Sequence, residues 1–536
     1  MMMAQPQVNL QKSILNTPLT RRSILIGGMT LPAVSMLTGC GGGGGGGEVE
    51  SDVVIPIAPF DPDTTPQIPD QGEKTEPEQG TEPIISPDAV KMNVGIYNFE
   101  YNSFVQLRAR RKVSKGTAGS VLVTNKDGTE TAWESIVDYV KRSVDHRFVL
   151  LYRGMLTAFA ERPPQDYDVT FFTAPEFYWN VPWTDFLNTD EVLVVADLFL
   201  ELVTQKVRSL IAKFPECDYG KLVLLPGTIA VLKPSVNIFN KDGSDASTDK
   251  NPILEATNHL VCVHNLSLND EHQRPAYMVW PKRTVSWIDF IGDRRCDRGD
   301  ELGNNASNPD LENYAHVCTL NGEEKLVVKI QRVSSDKVQA FDDYGRQLLD
   351  TTFNNELIEG LPFGINICLD YAVASTTTDK YRMAQLKNTE FKLDFVISAG
   401  IRLNAKNYQD ASTVQYAIHN DGIQGSNQNP NQVKYEYFSN VSQIFYDKRI
   451  GAPYLLSLPA LGTTADGSRQ STTMISVDNS TDFTYPERYS GMPSITDEIN
   501  SANVRVWSLP VDVTDTLKTQ ETVTAMKSEN CEAAVA

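Results

Sequence analysis

Three residues in the sequence stand at the ends of short apolar runs and carry side chains able to act on a carbonyl carbon. Phe171-Phe172-Thr173-Ala174-Pro175-Glu176 delivers a carboxylate just past a proline, Tyr277-Met278-Val279-Trp280-Pro281-Lys282 an ammonium, and Phe363-Gly364-Ile365-Asn366-Ile367-Cys368-Leu369-Asp370 a thiol. A charge at the end of a buried strand is costly unless something pairs with it. A thiol with a pKa near ~8.5 is only a few per cent thiolate at neutral pH. A carboxylate within hydrogen-bond reach can take its proton as sulfur attacks, and an adjacent ammonium favours the thiolate. Attack puts negative charge on oxygen, where a fixed donor is worth roughly 3 to 4 kcal/mol. Singly, each residue has an ordinary explanation: an exposed carboxylate after a turn, a solvated edge lysine, a small core cysteine. Their joint order and flanks set them apart.

Other constellations are missing from the chain. The six histidines form no HExxH, and His259 and His264, five apart on a strand, would face opposite sides. No CxxC pair suggests zinc, and no Gly-x-Ser-x-Gly elbow suggests a serine hydrolase. A metal or organic cofactor is therefore not expected. The 48 basic against 68 acidic side chains leave a net charge of −20, which argues against a nucleic-acid partner.

The elements that would position the three residues read as short apolar strands alternating with helical patterns. Strands are expected at Lys91 to Tyr97, Tyr167 to Thr173, Lys221 to Leu225, His259 to His264, Ala276 to Trp280, Lys325 to Ile330, Gly364 to Cys368 and Phe395 to Ser398. One or two helices are expected within Ala132 to Ala160, and the strongest helical pattern is Val192 to Phe214. Such alternation, with strands apolar on both faces, is an α/β pattern.

Pro175-Glu176, Trp280-Pro281-Lys282 and Gly364-Ile365-Asn366-Ile367-Cys368-Leu369-Asp370 together resemble the motifs of the nitrilase, or carbon-nitrogen hydrolase, superfamily. The resemblance spans roughly Met92 to Leu403 and, less closely, the rest to Trp507. It implies a four-layer α-β-β-α sandwich, dimerisation through helices, and hydrolysis of a small-molecule, non-peptide amide, favoured over a nitrile, through a thioester on Cys368. Glu176 would be the proton carrier, and Lys282 with the backbone N–H of Leu369 the oxyanion donors. An acyltransferase, or a ligand-binding protein on the same scaffold, are the alternatives. The family's second glutamate has no clean match, Asp289 and Glu301 both being candidates. Among the aromatics after the first motif, Tyr178 and Trp179 are candidates for positioning substrate, with packing of the core the equal alternative. The stretch near 290–325 looks long for the family and is expected to be an inserted loop, with Cys296 and Cys318 a candidate disulfide.

The remaining segments read as an address and a tether. Residues 1–39 hold Arg21-Arg22 before the apolar run Ile24 to Leu37, then Leu37-Thr38-Gly39-Cys40. They resemble a twin-arginine signal ending in a bacterial lipobox, which implies lipidation of Cys40, anchorage to a membrane and location in the cell envelope, at the outer membrane if there is one. Residues 40–89, glycine-rich then proline-rich, read as a flexible hinge and a stiffer spacer. The hydrolase domain is placed at 90–514 and a polar tail at 515–536.

Overall fold

A computed structural model describes residues 91–109, 122–124, 130–132, 134–181, 185–186, 188–234, 254–268, 274–282, 313–320, 324–331, 338–348, 357–372, 391–408, 413–423, 439–447, 452–461, 474–480, 483–485, 492–493 and 501–513. By its contacts the chain divides into Met1–Gln79 and Gly80–Ala536, and all described residues belong to the second unit.

The strands are β1 (Lys91–Glu100), β2 (Leu122–Thr124), β3 (Glu130–Ala132), β4 (Val169–Ala174), β5 (Leu222–Pro226), β6 (Thr228–Pro234), β7 (Leu254–His264), β8 (Tyr277–Pro281), β9 (Asn313–Leu320), β10 (Glu324–Gln331), β11 (Gln339–Phe341), β12 (Phe363–Ile367), β13 (Leu393–Ser398), β14 (Tyr416–Asp421), β15 (Asn440–Asp447), β16 (Ala452–Leu458), β17 (Ile475–Ser476) and β18 (Asn503–Asp512). The helices are α1 (Ile136–Glu161), α2 (Thr189–Ile211), α3 (Glu216–Tyr219) and α4 (Leu369–Ala372).

In the first sheet the main path runs β11-β8-β7-β5-β4-β1-β18-β17, with β6 and β10 also pairing on β7 and β9 on β10. β1, β4 and β5 are parallel neighbours, and β18 closes antiparallel on the whole length of β1, from Lys91 opposite Asp512 to Glu100 opposite Asn503. The second sheet runs β12-β13-β14-β15-β16; its first three strands are parallel.

Two cores follow from the alternation of side chains across strands. On one face of the first sheet, Tyr97, Phe99, Phe172 and Leu224 pack against Val144, Leu151 and Met155 of α1 and Val195, Phe199 and Val203 of α2. Ser135 caps α1 by accepting from the Asp138 N–H, and Asn188 caps α2 through the Glu191 N–H. The opposite face turns Ile96, Phe171 and Val223 toward Phe363, Ile365, Phe395 and Ile418 of the second sheet. Phe171 lies at the centre of that seam, its ring centroid 5.2 Å from Phe363 and 4.8 Å from Phe395. Beyond the second sheet, Tyr408 of the 3₁₀ turn Ala405–Tyr408 donates to Asp394, and Tyr371 of α4 packs on its ring. The layering is that of the α-β-β-α sandwich, with a short outer helical layer among the described residues.

One local reading is narrowed and two are corrected. The pattern in Ala132 to Ala160 is one helix starting at Ile136, because Ser135 caps it and Ala132 lies in β3. α2 starts at Thr189, ahead of the apolar pattern, because Asn188 supplies the cap. The stretch read as an inserted loop contains β9, which pairs antiparallel with β10, while β10 joins β7 at Val328 opposite Leu254. Cys318 sits in β9 opposite Leu326. Cys296 lies outside the described residues, as do Cys40, the segments 1–39 and 40–89, and the tail 515–536.

Candidate active site

Glu176 follows β4, Lys282 follows β8 and Cys368 follows β12, so the two sheets deliver them from opposite sides of the inter-sheet space. Lys282 Nζ lies 2.9 Å from Glu176 Oε1, and both side chains are fully buried. The Asn258 side chain donates to the same oxygen at 3.0 Å. Asn258 reaches it because its carbonyl accepts the Lys282 N–H at 2.7 Å, which fixes the end of β8 against β7. The Cys368 thiol sits within electrostatic reach of the Glu176 carboxylate, the Lys282 ammonium and a backbone group of Ala399. Burial, with the Glu176 charge, pushes that thiol well above its ordinary range, while the Lys282 ammonium pulls it down. The three residues named from sequence thus meet in one buried cluster.

The backbone is bent to achieve this. Among the described residues, the non-glycine positions with positive φ are Phe177 at 60° and Cys368 at 48°. Such φ values are uncommon without glycine and persist where the surroundings hold them. Ile365 and Ile367 face the other sheet, so unbroken alternation would put Cys368 on the opposite face; the left-handed residue ends the alternation and brings the thiol to Glu176. The Cys368 N–H is tied to the Ile397 carbonyl at 2.9 Å. On the other side, the Phe177 N–H donates to Thr228 Oγ1 at 2.9 Å, and the Glu176 carbonyl accepts from Ser103 Oγ at 2.5 Å. Gly227 has φ 81°, and a Cβ there would fall 2.4 Å from the Pro175 carbonyl oxygen, so only glycine lets the Pro-Glu turn sit this close.

The sheets are held in register by polar groups that sequence reasoning missed. Asn98 of β1 donates to the His419 carbonyl and accepts from Thr173 Oγ1, while Asn420 of β14 donates to the same Thr173 hydroxyl at 2.8 Å. Asn258 was missed as well, lying one residue ahead of the strand expected at His259. Its face is shared with Leu260 and Cys262, both buried between the sheets.

Tyr178 and Trp179 are corrected as positioning residues. The turn at Phe177 sends both into the helix-side core, where the Tyr178 hydroxyl donates to the Arg147 carbonyl at 2.6 Å and the Trp179 indole to the Pro226 carbonyl at 2.9 Å. Phe177 is the aromatic that stays with the cluster, its ring 5.7 Å from Lys282 Nζ. Leu369 is the first residue of α4, directly after Cys368. Asp289 and Glu301 lie outside the described residues. Among the described residues, no group of three or more His, Cys, Asp or Glu side chains could hold a metal ion.

No family model and no curated protein matches this chain. Among solved structures, the chain is similar to a carbon-nitrogen hydrolase from Helicobacter pylori G27, with TM-score 0.26 and 9% identity over 69% of this chain and 86% of that one. It is also similar to a double mutant of the amidase from Nesterenkonia sp. AN1 in complex with acrylamide, with TM-score 0.23 and 8% identity over 63% of this chain and 80% of that one. Overlaps this loose carry no weight for the assignment, which rests on the side chains described above.

Proposed function

We propose that the chain is a thiol-dependent hydrolase of a carbon-nitrogen bond in a non-peptide amide, with Cys368 as nucleophile. The observation that carries this reading is the convergence of a thiol, a carboxylate and an ammonium at three strand ends, with Cys368 itself held at a left-handed φ. In the reaction, Glu176 takes the thiol proton as sulfur bonds to the carbonyl carbon. The charge that gathers on the carbonyl oxygen is met by Lys282 and by the N–H of Leu369. The tetrahedral species collapses by breaking the carbon-nitrogen bond, and the amine leaves with the proton from Glu176. Water then gives a proton to Glu176 and attacks the thioester, and the proton returns to sulfur as the acid is released. Asn258 and Lys282 both engage Oε1 of Glu176 and so fix the plane of the carboxylate that exchanges the proton.

The test is mass spectrometry after mixing with an activated acyl ester. An acyl group on the Cys368 peptide, removed by hydroxylamine and missing in Cys368→Ala, supports the nucleophile; acylation elsewhere or undiminished in the variant refutes it. We also propose that the protein is exported and anchored through a lipid on Cys40, on the strength of the Leu37-Thr38-Gly39-Cys40 sequence.

A further inference from the structure

Beside the cluster lies a second buried polar group that the reaction above does not use. Ser398 ends β13, His419 lies on β14 and Asp421 ends it, all three almost wholly buried. Ser398 Oγ is 2.9 Å from both His419 Nε2 and Asp421 Oδ2. The serine hydroxyl has one proton, which goes to the carboxylate, so the His419 Nε2 contact requires that nitrogen to be the donor.

Asp421 gathers the turn after β13. Its Oδ2 also accepts the N–H groups of Gly400 at 2.7 Å and Ile401 at 3.2 Å, and its Oδ1 accepts the Ile423 N–H at 2.8 Å. The turn is tight: Gly400 has φ 98°, and the Gly422 N–H closes it by donating to the Ser398 carbonyl at 2.7 Å. Between Ser398 and Gly400 lies Ala399, buried against Phe177 and Ala230 and two residues past Ile397, whose carbonyl holds the Cys368 N–H; its backbone lies close enough to the Cys368 thiol to pull that thiol down. Burial alone would raise the Asp421 carboxyl, but His419 and the backbone N–H groups outweigh it and hold the carboxyl below its ordinary range, ionised.

We propose that Asp421 is a positioning residue for the nucleophile: with Ser398 and His419 it clamps the turn after β13 so that the Ala399 N–H points at the Cys368 sulfur and stabilises its thiolate. The proposal rests on Cys368 being the nucleophile, but its test needs no substrate. A thiolate is alkylated and a thiol is not, so the pH profile of alkylation reports how well the sulfur's charge is supported.

The experiment alkylates the purified full-length protein with iodoacetamide from pH 6 to 10 and follows the Cys368 peptide by mass spectrometry. Near-ultraviolet circular dichroism and the urea midpoint check the fold. In Asp421→Asn the amide nitrogen cannot accept, the Ala399 N–H loses its aim, and alkylation below the midpoint of the profile should slow by about tenfold, a shift of about one pH unit. Ser398→Ala removes only the relay hydroxyl and should shift the profile in the same direction by less, with Ser398→Thr restoring it. A folded Asp421→Asn protein with the wild-type profile overturns the proposal; if that variant does not fold, a wild-type profile in Ser398→Ala does so. A wild-type Cys368 inert throughout overturns both the clamp and the nucleophile. The predicted shift in a protein that turns over no amide leaves the clamp standing and removes the amidase reading alone.

Discussion

Glu176→Gln is expected to damage stability as much as chemistry, and the Glu176–Lys282 pair says by how much. At 2.9 Å with no solvent exposure on either side chain, the attraction at an effective dielectric of about 20 is roughly 6 kcal/mol. Desolvating two ions opposes nearly all of it, so the intact pair adds little net stability. Removing one partner is different, because the other stays buried without its counter-charge, and breaking such a pair costs about 3 to 5 kcal/mol. Glu176→Gln and Lys282→Met should each lose about that much in urea unfolding. The double variant, which buries no charge at this position, should recover most of the loss, leaving a coupling energy of about 3 kcal/mol or more. All three proteins should lack activity, since proton transfer and oxyanion support are gone in each. Single variants that unfold within about 1 kcal/mol of the wild type, or losses that simply add in the double variant, would refute the reasoning that the pair is sealed from water.

Gly227→Ala should displace the Pro175-Glu176 turn, because its Cβ would meet the Pro175 oxygen at 2.4 Å; a drop of more than about 2 kcal/mol in urea unfolding, with loss of turnover, is the expected outcome. Two buried groups should tilt the stability profile in opposite senses. Burial pushes the Glu100 carboxyl up from 4.5 to about 7 despite Arg505, so the native state keeps a proton that the unfolded chain has lost, and stability falls as pH rises through that window. Burial pushes His264 down from 6.5 to about 4, so stability is instead lost as pH falls through its window. Relative to wild type, Glu100→Gln should therefore gain about 3 kcal/mol between pH 4.5 and 8, and His264→Asn about 3 kcal/mol between pH 7 and 4, read from urea midpoints. Cys40→Ser should leave a folded protein that no longer sediments with membranes; retention after a high-salt wash would contradict the anchor.

The sequence made the candidate cluster legible because each of its three residues follows a run that is apolar on both strand faces, and such runs mark strands buried between layers. β4, β5, β8, β12 and β13 are all of this kind. β14 and β15 were not legible, since Tyr-Ala-Ile-His-Asn-Asp and Asn-Val-Ser-Gln-Ile-Phe-Tyr-Asp mix polar residues into the pattern. Those polar residues are the informative ones: Asn420 bridges to Thr173 across 247 residues of chain, and Asp421 binds the turn after β13. Nor does any residue type announce that Phe177 and Cys368 take positive φ, because the surrounding hydrogen bonds impose it. Tyr178 and Trp179 were ambiguous for that reason: whether an aromatic after Glu176 faces the cluster or the helix core depends on the turn at Phe177.

In the proposed reaction Cys368 cleaves an amide carbon-nitrogen bond. The most direct measurement is ammonia release across a panel of small primary amides, wild type beside Cys368→Ala at equal concentration of folded protein. Release from at least one amide by the wild type, and none above background by the variant, is the expected result. Release by neither protein from any amide, or equal release by both, would contradict it.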